Sequence, residues 1–378
     1  MRRLAAIFAI LLVLLQPHGV GAPRGLIGIF GDTGDPTAIP PSPADPASPP
    51  TPPLAALTLS GIFGGLPSLA RLDPRKLITL LATGDVIPAR SVNYIMSDRG
   101  DFTYPFRRTY RYTRAADITL INLEAPLIDG CGLTNDGMTF CGDPQVTAGL
   151  RLAGVDVANL PNNHIGNYGL DAIHETERHL ADAGIQWDGF GHNVYKTIKG
   201  VSFAFLGFNA VGEQVDLVEM RREVRHARTK ADVVVVSYHW GKEYSDVPLT
   251  SPGVADQDPR MLAHATVDAG ADLVIGNHPH WVQGVELYRG KYIAYAHGNF
   301  VFDQMFSMRT RHGVIGTYTF YGARLVAVRY RAVQIENWSQ PHFLPAAEEA
   351  PILADMDAAS RLIASGYKDE GCPRSCDF

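Results

Sequence analysis

Short apolar runs alternate with amphipathic stretches along most of the chain beyond residue 76. Such runs, rich in Val, Ile and Leu, predict buried strands, and they cover residues 77–82, 117–121, 155–160, 201–206, 232–238, 272–275 and 292–296. Apolar positions at helical spacing predict helices over 170–183 and 259–269, which end at Gly184 and Gly270. Because strands that alternate with helices pair in parallel, the pattern predicts an α/β domain.

The pattern changes towards the end of the chain. A run at 325–331 alternates Ala and Val with other residues and predicts a closing antiparallel strand, and 348–366 contains one predicted helix. An antiparallel strand beside parallel ones gives a mixed sheet. The predicted fold class is therefore α/β, a layered sandwich of mixed β-sheets flanked by helices, over residues 76–345.

The first 22 residues have the pattern of an export signal. Met1-Arg2-Arg3 carries positive charge, and the apolar run 4–15 that follows is short for a membrane span. Small residues up to Ala22 suit a cleavage site, but Pro23 disfavours cleavage there. A cleaved signal and an uncleaved anchor are both open. Either one predicts an extracytoplasmic protein, secreted or membrane-anchored through this segment.

Two further segments lie outside the predicted domain. Residues 33–56 are rich in Pro and Ala, which favours an extended linker that builds no core. Residues 346–378 form a C-terminal tail that carries a pair of cysteines. The linker is expected to hold the folded domain away from the membrane or wall.

Cysteine use agrees with export. The chain has four cysteines, which allow three pairings, and the simplest joins neighbours in sequence. That arrangement pairs Cys131 with Cys141 and Cys372 with Cys376. Reduced surface thiols are the plain alternative, and a zinc site is disfavoured because two-residue spacers are absent. Disulfides in an oxidising compartment are the favoured interpretation.

Composition is that of an ordinary globular protein, with 46% hydrophobic and 19% charged residues. The formal charge of -6 gives no reason to expect nucleic acid as a partner. Arginine clusters at 107–114 and 221–228 are either solvated helix faces or contacts for a polyanion.

Polar side chains follow five of the predicted strands. They are Asp85, Glu124, Asn163 with His164, His239, and His278 with His280. The carboxyl ends of parallel strands meet at one edge of a sheet, where ligands bind. Each residue alone has a plain alternative as a turn residue or a core histidine. Together they predict a metal centre for one or two divalent ions, since carboxylate, amide and imidazole ligands suit Mn, Fe or Zn.

An ordered set of motifs between residues 84 and 304 carries a resemblance. The motifs are Gly84-Asp85-Val86, Asn122-Leu123-Glu124-Ala125-Pro126, Asn162-Asn163-His164, His239-Trp240-Gly241-Lys242-Glu243-Tyr244, His278-Pro279-His280-Trp281-Val282-Gln283 and Gly298-Asn299-Phe300-Val301-Phe302-Asp303-Gln304. The set resembles the CapA family of capsule or poly-γ-glutamate synthesis proteins, whose domain is similar to calcineurin-like metallophosphoesterases.

The resemblance implies roles for these residues. One metal would be held by Asn163, His239 and His278, a second by Asp85 and His280, with Glu124 as the bridging carboxylate. His164 would be the catalytic acid that protonates the leaving oxygen. Candidate substrate-binding residues are Arg90, Asn122 and Glu243. Arg90 would meet an anionic group through a bidentate contact, or is a plain surface cation.

Two positions depart from the phosphoesterase pattern. Ile87 stands where those enzymes have a histidine, so the second metal site is expected to be one ligand short. Asn167 stands where the family commonly has an aspartate, so carboxylate support is missing there.

The resulting functional hypothesis is an exported CapA-like protein in capsule or poly-γ-glutamate biosynthesis or processing, with a metallophosphoesterase-like site. The expected partners are an anionic polymer or phosphoester substrate and a membrane-bound polymer synthase. Two alternatives are a metal-dependent phosphoester hydrolase of unknown substrate and a non-catalytic polymer-binding scaffold. Whether the protein is a metal-dependent hydrolase is left open, because fold and ligand pattern do not define a substrate.

Overall fold

A computed structural model describes residues 57–64 and 69–367. The chain divides into Met1–Thr51 and Pro52–Phe378, and the described residues belong to the second unit. The predicted signal, the linker up to residue 56, Cys372 and Cys376 lie outside the described residues. Within the described part, no helix has both the length and the apolar character that crossing a membrane requires.

The first sheet has eight strands in the order β14-β13-β12-β1-β2-β3-β4, with β11 also paired to β1. Its strands are β1 (Leu77–Val86), β2 (Ile118–Leu123), β3 (Val157–Asn159), β4 (Gln186–Asp188), β11 (Asn299–Val301), β12 (His312–Tyr321), β13 (Arg324–Glu336) and β14 (Gln340–Phe343). Strands β1 to β4 are parallel, whereas β12, β13 and β14 pair antiparallel. The sheet is therefore mixed.

The second sheet has six strands in the order β5-β6-β7-β8-β10-β9. They are β5 (Val194–Ile198), β6 (Val201–Asn209), β7 (Val233–His239), β8 (Leu273–Asn277), β9 (Val285–Tyr288) and β10 (Lys291–Ala294). The four central strands are parallel, and each edge strand is antiparallel to its neighbour. Every residue of β7 and β8 is buried, which explains why their sequences are continuous apolar runs.

Helices flank the sheets. They are α1 (Leu59–Gly64), α2 (Ser91–Arg99), α3 (Tyr110–Thr113), α4 (Thr147–Ala153), α5 (Gly169–Asp182), α6 (Leu217–Arg228), α7 (Pro259–Ala269), α8 (Met308–Arg311) and α9 (Ala346–Ala364). Asp258 caps α7 by accepting a hydrogen bond from the backbone N–H of Arg260, and Pro259 fills the first helical position. Gly270 ends that helix, as its sequence predicts.

A hydrophobic core lies between the two sheets. Leu80 and Phe320 of the first sheet belong to the same buried cluster as Phe205 and Val235 of the second. Met356 of α9 is buried in that cluster as well. The predicted fold class, an α/β layered sandwich of mixed sheets flanked by helices, is thus confirmed.

Strand register places polar residues in rows at one edge of each sheet, at the carboxyl ends of their strands except for Asn299, which begins β11. In the first sheet, Asn299, Asp85, Asn122, Asn159 and Asp188 are successive Cα partners across five neighbouring strands. In the second sheet, Asn209, His239 and Asn277 form a matching row. Residues that are directly opposite on neighbouring strands share one face of a sheet, so each row presents its side chains together.

Candidate metal centre

The predicted metal ligands all lie at or just beyond these strand ends. Asp85 is the second-to-last residue of β1, Glu124 follows β2, Asn163 follows β3, His239 ends β7, and His278 and His280 follow β8. Five of them are almost fully buried, with exposed fractions of 3% or less, and Asn163 is half-buried. The two sheets therefore bring together residues that are far apart in sequence.

His239 lies at the middle of one group. Its Nε2 atom is 2.8 Å from Asn163 Oδ1, 3.2 Å from His278 Nδ1 and 3.4 Å from Glu124 Oε1. One neutral imidazole nitrogen cannot satisfy three such atoms at once. An arrangement of lone-pair atoms around one point is typical of a metal ligand set.

His280 lies at the second group. Its Nδ1 atom is 2.9 Å from Asn299 Oδ1 and 3.2 Å from Asp85 Oδ2, and its Nε2 atom is 3.9 Å from Glu243 Oε1. Asn299 Nδ2 donates to the carbonyl oxygen of Thr310, which fixes Asn299 Oδ1 as an acceptor facing the ring. His280 therefore carries a hydrogen on Nδ1 and directs Nε2 towards Glu243.

Asn122 joins the two carboxylates. Its Nδ2 atom donates to Asp85 Oδ1 at 2.8 Å and approaches Glu124 Oε2 at 3.3 Å. One oxygen of each carboxylate is thereby held by the same amide. The other oxygens, Asp85 Oδ2 and Glu124 Oε1, are left for a different partner.

Among the described residues, three buried atoms of the site have no hydrogen-bond partner: Asp85 Oδ2, Glu124 Oε1 and His278 Nε2. The first two have only the ion-pair contacts with His280 and His239 given above. An unpaired buried polar atom costs free energy, so native proteins rarely leave three in one place. The ligand atoms of Glu124, His278 and His280 lie within 4.8 Å of one another, and so do those of Asp85, Glu124 and His239. These residues fit a divalent ion of the Mn, Fe or Zn type.

Protonation differs across the site. Burial, with the nearby Asp85 charge, raises the pKa of Glu124 well above its usual range. Burial lowers the pKa of His239 to about 3 and that of His278 well below its usual range. Burial also opposes charge on His280, but the ion-pair contact with Asp85 and the nearby Glu124 raise its pKa to about 9. His239 and His278 are thus neutral at pH 7, which is the metal-binding form.

The backbone around Pro279 is unusual. His278 and His280 have positive φ values of 96° and 57°, which residues other than glycine rarely adopt. The backbone N–H of Tyr244 donates to the carbonyl oxygen of Pro279 at 2.9 Å and so ties this loop to the segment after β7. Strained conformations of this kind concentrate at functional sites.

His164 is fixed by a loop that a disulfide closes. The predicted Cys131–Cys141 disulfide is present, and Phe140 beside it stacks on the His164 ring with centroids 4.0 Å apart. Asn167 Oδ1 accepts from the backbone N–H of Phe140 and lies 3.1 Å from His164 Nδ1. An amide oxygen therefore contacts the ring where the family commonly has a carboxylate.

Because that amide oxygen can only accept, His164 carries its hydrogen on Nδ1 and keeps a lone pair on Nε2. Burial lowers the pKa of His164 to about 4, so the ring is neutral at pH 7. A neutral ring must first take up a proton before it can protonate a leaving oxygen.

The candidate substrate-binding residues occupy different surroundings. Arg90 forms an ion pair with Asp303, donates to the carbonyl oxygen of Gly137, and is only 14% exposed. Its guanidinium also lies 4.9 Å from the ring centroids of Phe140 and Phe302. Nε and Nη2 of Arg90 both donate to Oδ1 of Asp303, so the guanidinium is already paired inside the protein.

The other two candidates differ in exposure. Asn122 is 1% exposed and holds the two carboxylates, whereas the side chain of Glu243 is 36% exposed. Ile87, which stands where phosphoesterases have a histidine, is buried in an apolar cluster with Phe140 and Phe302.

Sequence reasoning assigned no role to Asn159, Asp188 or Asn299. Each is a polar residue in a strand at the sheet edge that carries the site, and Asn299 also stands in a quoted motif. Their local signal was weaker than that of the predicted ligands, because Asn159 lies inside the predicted strand 155–160 and Asp188 follows none of the predicted strands. Their roles depend on which strands are neighbours, which the runs alone do not define.

Comparison with known proteins identifies the family of this chain. The family model "Bacterial capsule synthesis protein PGA_cap" matches residues 79–304, which is more than half of the chain. The Capsule biosynthesis protein CapA of Bacillus anthracis is 31% identical over 271 residues, covering 64% of this chain and 63% of that protein. The PGA biosynthesis protein CapA of Bacillus subtilis (strain 168) is 28% identical over 258 residues, covering 62% and 66%.

The chain thus spans slightly less than two thirds of the length of these relatives. Among solved structures, a hypothetical protein from Thermus thermophilus aligns with 15% identity and a TM-score of 0.43, covering 70% of this chain and 100% of that one. Since the family model matches most of the two-sheet domain that carries the site, the chain belongs to the PGA_cap family of bacterial capsule synthesis proteins.

Proposed function

We propose that this protein acts in the biosynthesis or processing of a capsule polymer of the poly-γ-glutamate type, through a divalent metal centre. The observation that carries the proposal is the group of three buried atoms, on Asp85, Glu124 and His278, that have no hydrogen-bond partner in the described part of the chain. The relatives named for capsule and PGA biosynthesis support the polymer. The proposal extends to export, because the first residues have a signal-like pattern.

The proposal assigns the following roles to the protein's own residues. Asn163, His239 and His278 would hold one ion, and Asp85 and His280 would hold a second. Glu124, which belongs to both groups of close ligand atoms, would serve either ion. A bound ion would supply Lewis-acid polarisation of a phosphoryl or carbonyl oxygen. His164 would take up a proton from water at Nε2 and donate it to the leaving oxygen, since Nδ1 is occupied by Asn167.

Charge supports a role for the metal in binding an anionic polymer. The chain has a formal charge of -6, and the nearby Arg90 is already paired with Asp303. The site therefore offers little positive charge of its own to a polyanion. A divalent ion would provide that charge at the point where the polymer is acted on.

A phosphoester substrate is the second candidate. It is favoured by the mixture of carboxylate, amide and imidazole ligands around a position for one or two ions, an arrangement that suits phosphoryl transfer. A membrane-bound polymer synthase is the proposed partner in either case, because it would supply a chain end to an extracytoplasmic protein.

The test uses protein loaded with Mn²⁺, Fe²⁺ or Zn²⁺, incubated with poly-γ-glutamate and, separately, with a phosphomonoester. We expect metal-dependent cleavage of one substrate, strong loss in His164→Gln, and no change in His174→Ala, which removes an exposed histidine from α5. Metal-dependent polymer binding without cleavage would favour a scaffold over an enzyme. If the metal-loaded protein neither binds nor cleaves either substrate, the proposal is wrong.

A further inference from the structure

Asp188, the last residue of β4, is fully buried, and neither of its carboxylate oxygens has a hydrogen-bond partner among the described residues. An ionised carboxylate in that setting costs far more free energy than a folded domain can spare. Such a group therefore takes up a proton or binds a cation. No role in the site described above accounts for it.

Asp188 stands at the end of the polar row in the first sheet. Its Cα partner across the sheet is Asn159, whose own partner is Asn122. Asn159 Nδ2 donates to Asn122 Oδ1 at 3.3 Å, and Asn122 Nδ2 donates to Asp85 Oδ1 at 2.8 Å. Hydrogen bonds thus run along the row from Asn159 to the metal centre.

Asn159 Oδ1 also lacks a donor within residues 57–64 and 69–367. It lies beside Gly207 of β6, where an added Cβ would stand 2.1 Å from Asn159 Oδ1 and 2.5 Å from Asp188 Oδ1. The two oxygens therefore approach the same point, and the missing side chain of Gly207 leaves room for them. One hydrogen placed between them would satisfy both.

The orientation of the amide groups along the row requires a hydrogen between Asn159 and Asp188. Asn122 must direct its NH₂ group at Asp85, so its oxygen faces Asn159. Asn159 must then direct its NH₂ group at Asn122, which leaves its oxygen towards Asp188. A rotated Asn159 amide would set its oxygen against that of Asn122. An ionised Asp188 would favour that rotation by accepting from the NH₂ group, whereas a donor on Asp188 opposes it.

We propose that Asp188 is a neutral carboxylic acid that donates a hydrogen bond to Asn159 Oδ1 and, through Asn159 and Asn122, positions Asp85 for metal binding. Asp188 is thus a positioning residue and touches neither metal nor substrate. Burial raises its pKa well above the usual range, in agreement with the neutral form. The inference rests on the proposed metal centre.

Two variants of Asp188 with nearly the same shape test this. Asp188→Asn keeps a donor for Asn159 Oδ1, whereas Asp188→Leu removes it. In the full chain, titrated with Mn²⁺ by calorimetry, we expect about tenfold weaker binding in Asp188→Leu, at the lower end of what outer ligand partners contribute. Asp188→Asn should bind nearly as tightly as the unchanged protein. Circular dichroism of both variants checks that they fold.

Infrared spectroscopy provides a second measurement that does not depend on Asp188→Leu folding. The metal-loaded protein at pH 7 should show the C=O stretching band of a protonated carboxylic acid, and Asp188→Asn should lack it. Absence of the band would mean that Asp188 is ionised beside a cation, which overturns the inference. Equal binding by Asp188→Leu and unchanged protein would overturn it too. Failure of the unchanged protein to bind Mn²⁺, Fe²⁺ or Zn²⁺ would instead count against the proposed function.

Discussion

At the scale of single residues, His280 differs from the other histidines of the site in its protonation. Although burial opposes charge, Asp85 and the neighbouring carboxylates raise the pKa of His280 to about 9, whereas burial lowers the pKa of His239 to about 3. The pKa of Glu124 is also raised, but here because burial and the Asp85 charge disfavour the ionised form of the carboxyl group. The metal-free site therefore holds protons that a metal must displace.

Metal binding is accordingly expected to release protons at pH 7. The affinity should increase as the pH rises towards about 9, because His280 must lose its proton to become a ligand. Calorimetric titration in buffers with different ionisation enthalpies measures the number released. His280→Gln should release about one proton fewer. Binding enthalpies that do not depend on the buffer would contradict this assignment.

At the scale of elements, the close approach of β1 and β11 positions Asp85. The backbone N–H of Asp85 donates to the carbonyl oxygen of Gly298 at 2.9 Å. Gly84 precedes it, and an added Cβ there would stand 2.1 Å from the same carbonyl oxygen. A side chain at position 84 would push the two strands apart at the point where Asp85 and Asn299 face the site.

Gly84→Ala should therefore lower the free energy of unfolding by about 3 kcal/mol, as overpacking against backbone does. It should also weaken metal binding. Gly166→Ala is the matched control, because an added Cβ there has nothing within 4 Å and the backbone φ is not positive. The control should stay within about 0.5 kcal/mol in urea unfolding. Equal effects of the two substitutions would show that the close approach is not present in solution.

The local pattern of each strand explains whether the sequence could predict it. β7 and β8 were found because strands buried on both faces are continuous apolar runs. β12 (His312–Tyr321), at the centre of the first sheet, was missed because Gly313 and Gly316 interrupt its pattern. An added Cβ at Gly316 would stand 2.9 Å from the Tyr318 ring and 3.0 Å from His297 Nε2. Tertiary packing requires a glycine at that position, and this requirement is not visible in the local sequence.

The residues of the candidate site also divide into those that the sequence predicts and those that it does not. Residues such as Glu124 and His239 were found because a polar side chain after an apolar run is visible in sequence. Asn159 lies inside the predicted strand 155–160 and Asp188 follows none of the predicted strands, so their importance comes from strand register, in which each is the Cα partner of the next. The assignment of these residues to metal and proton chemistry stays a prediction.

At the scale of the whole molecule, the two sheets act as one support for the site. The first sheet contributes Asp85 and Glu124 and the second contributes His239, and one hydrophobic core lies between the sheets. Ile62 of α1 and Met356 of α9 are buried in that core although both lie outside residues 76–345. Protein for measurement should therefore include both helices.

The most direct test of the central claim is metal content. Purified protein is exposed to Mn²⁺, Fe²⁺ or Zn²⁺, dialysed and analysed for bound metal, beside a His239→Ala/His278→Ala double variant. His174→Ala, which removes an exposed histidine, is the matched control. We expect one or two ions per chain in the unchanged protein and in the control, and a large loss in the double variant. Unchanged protein without bound metal, or a double variant that retains the full amount, would contradict the account.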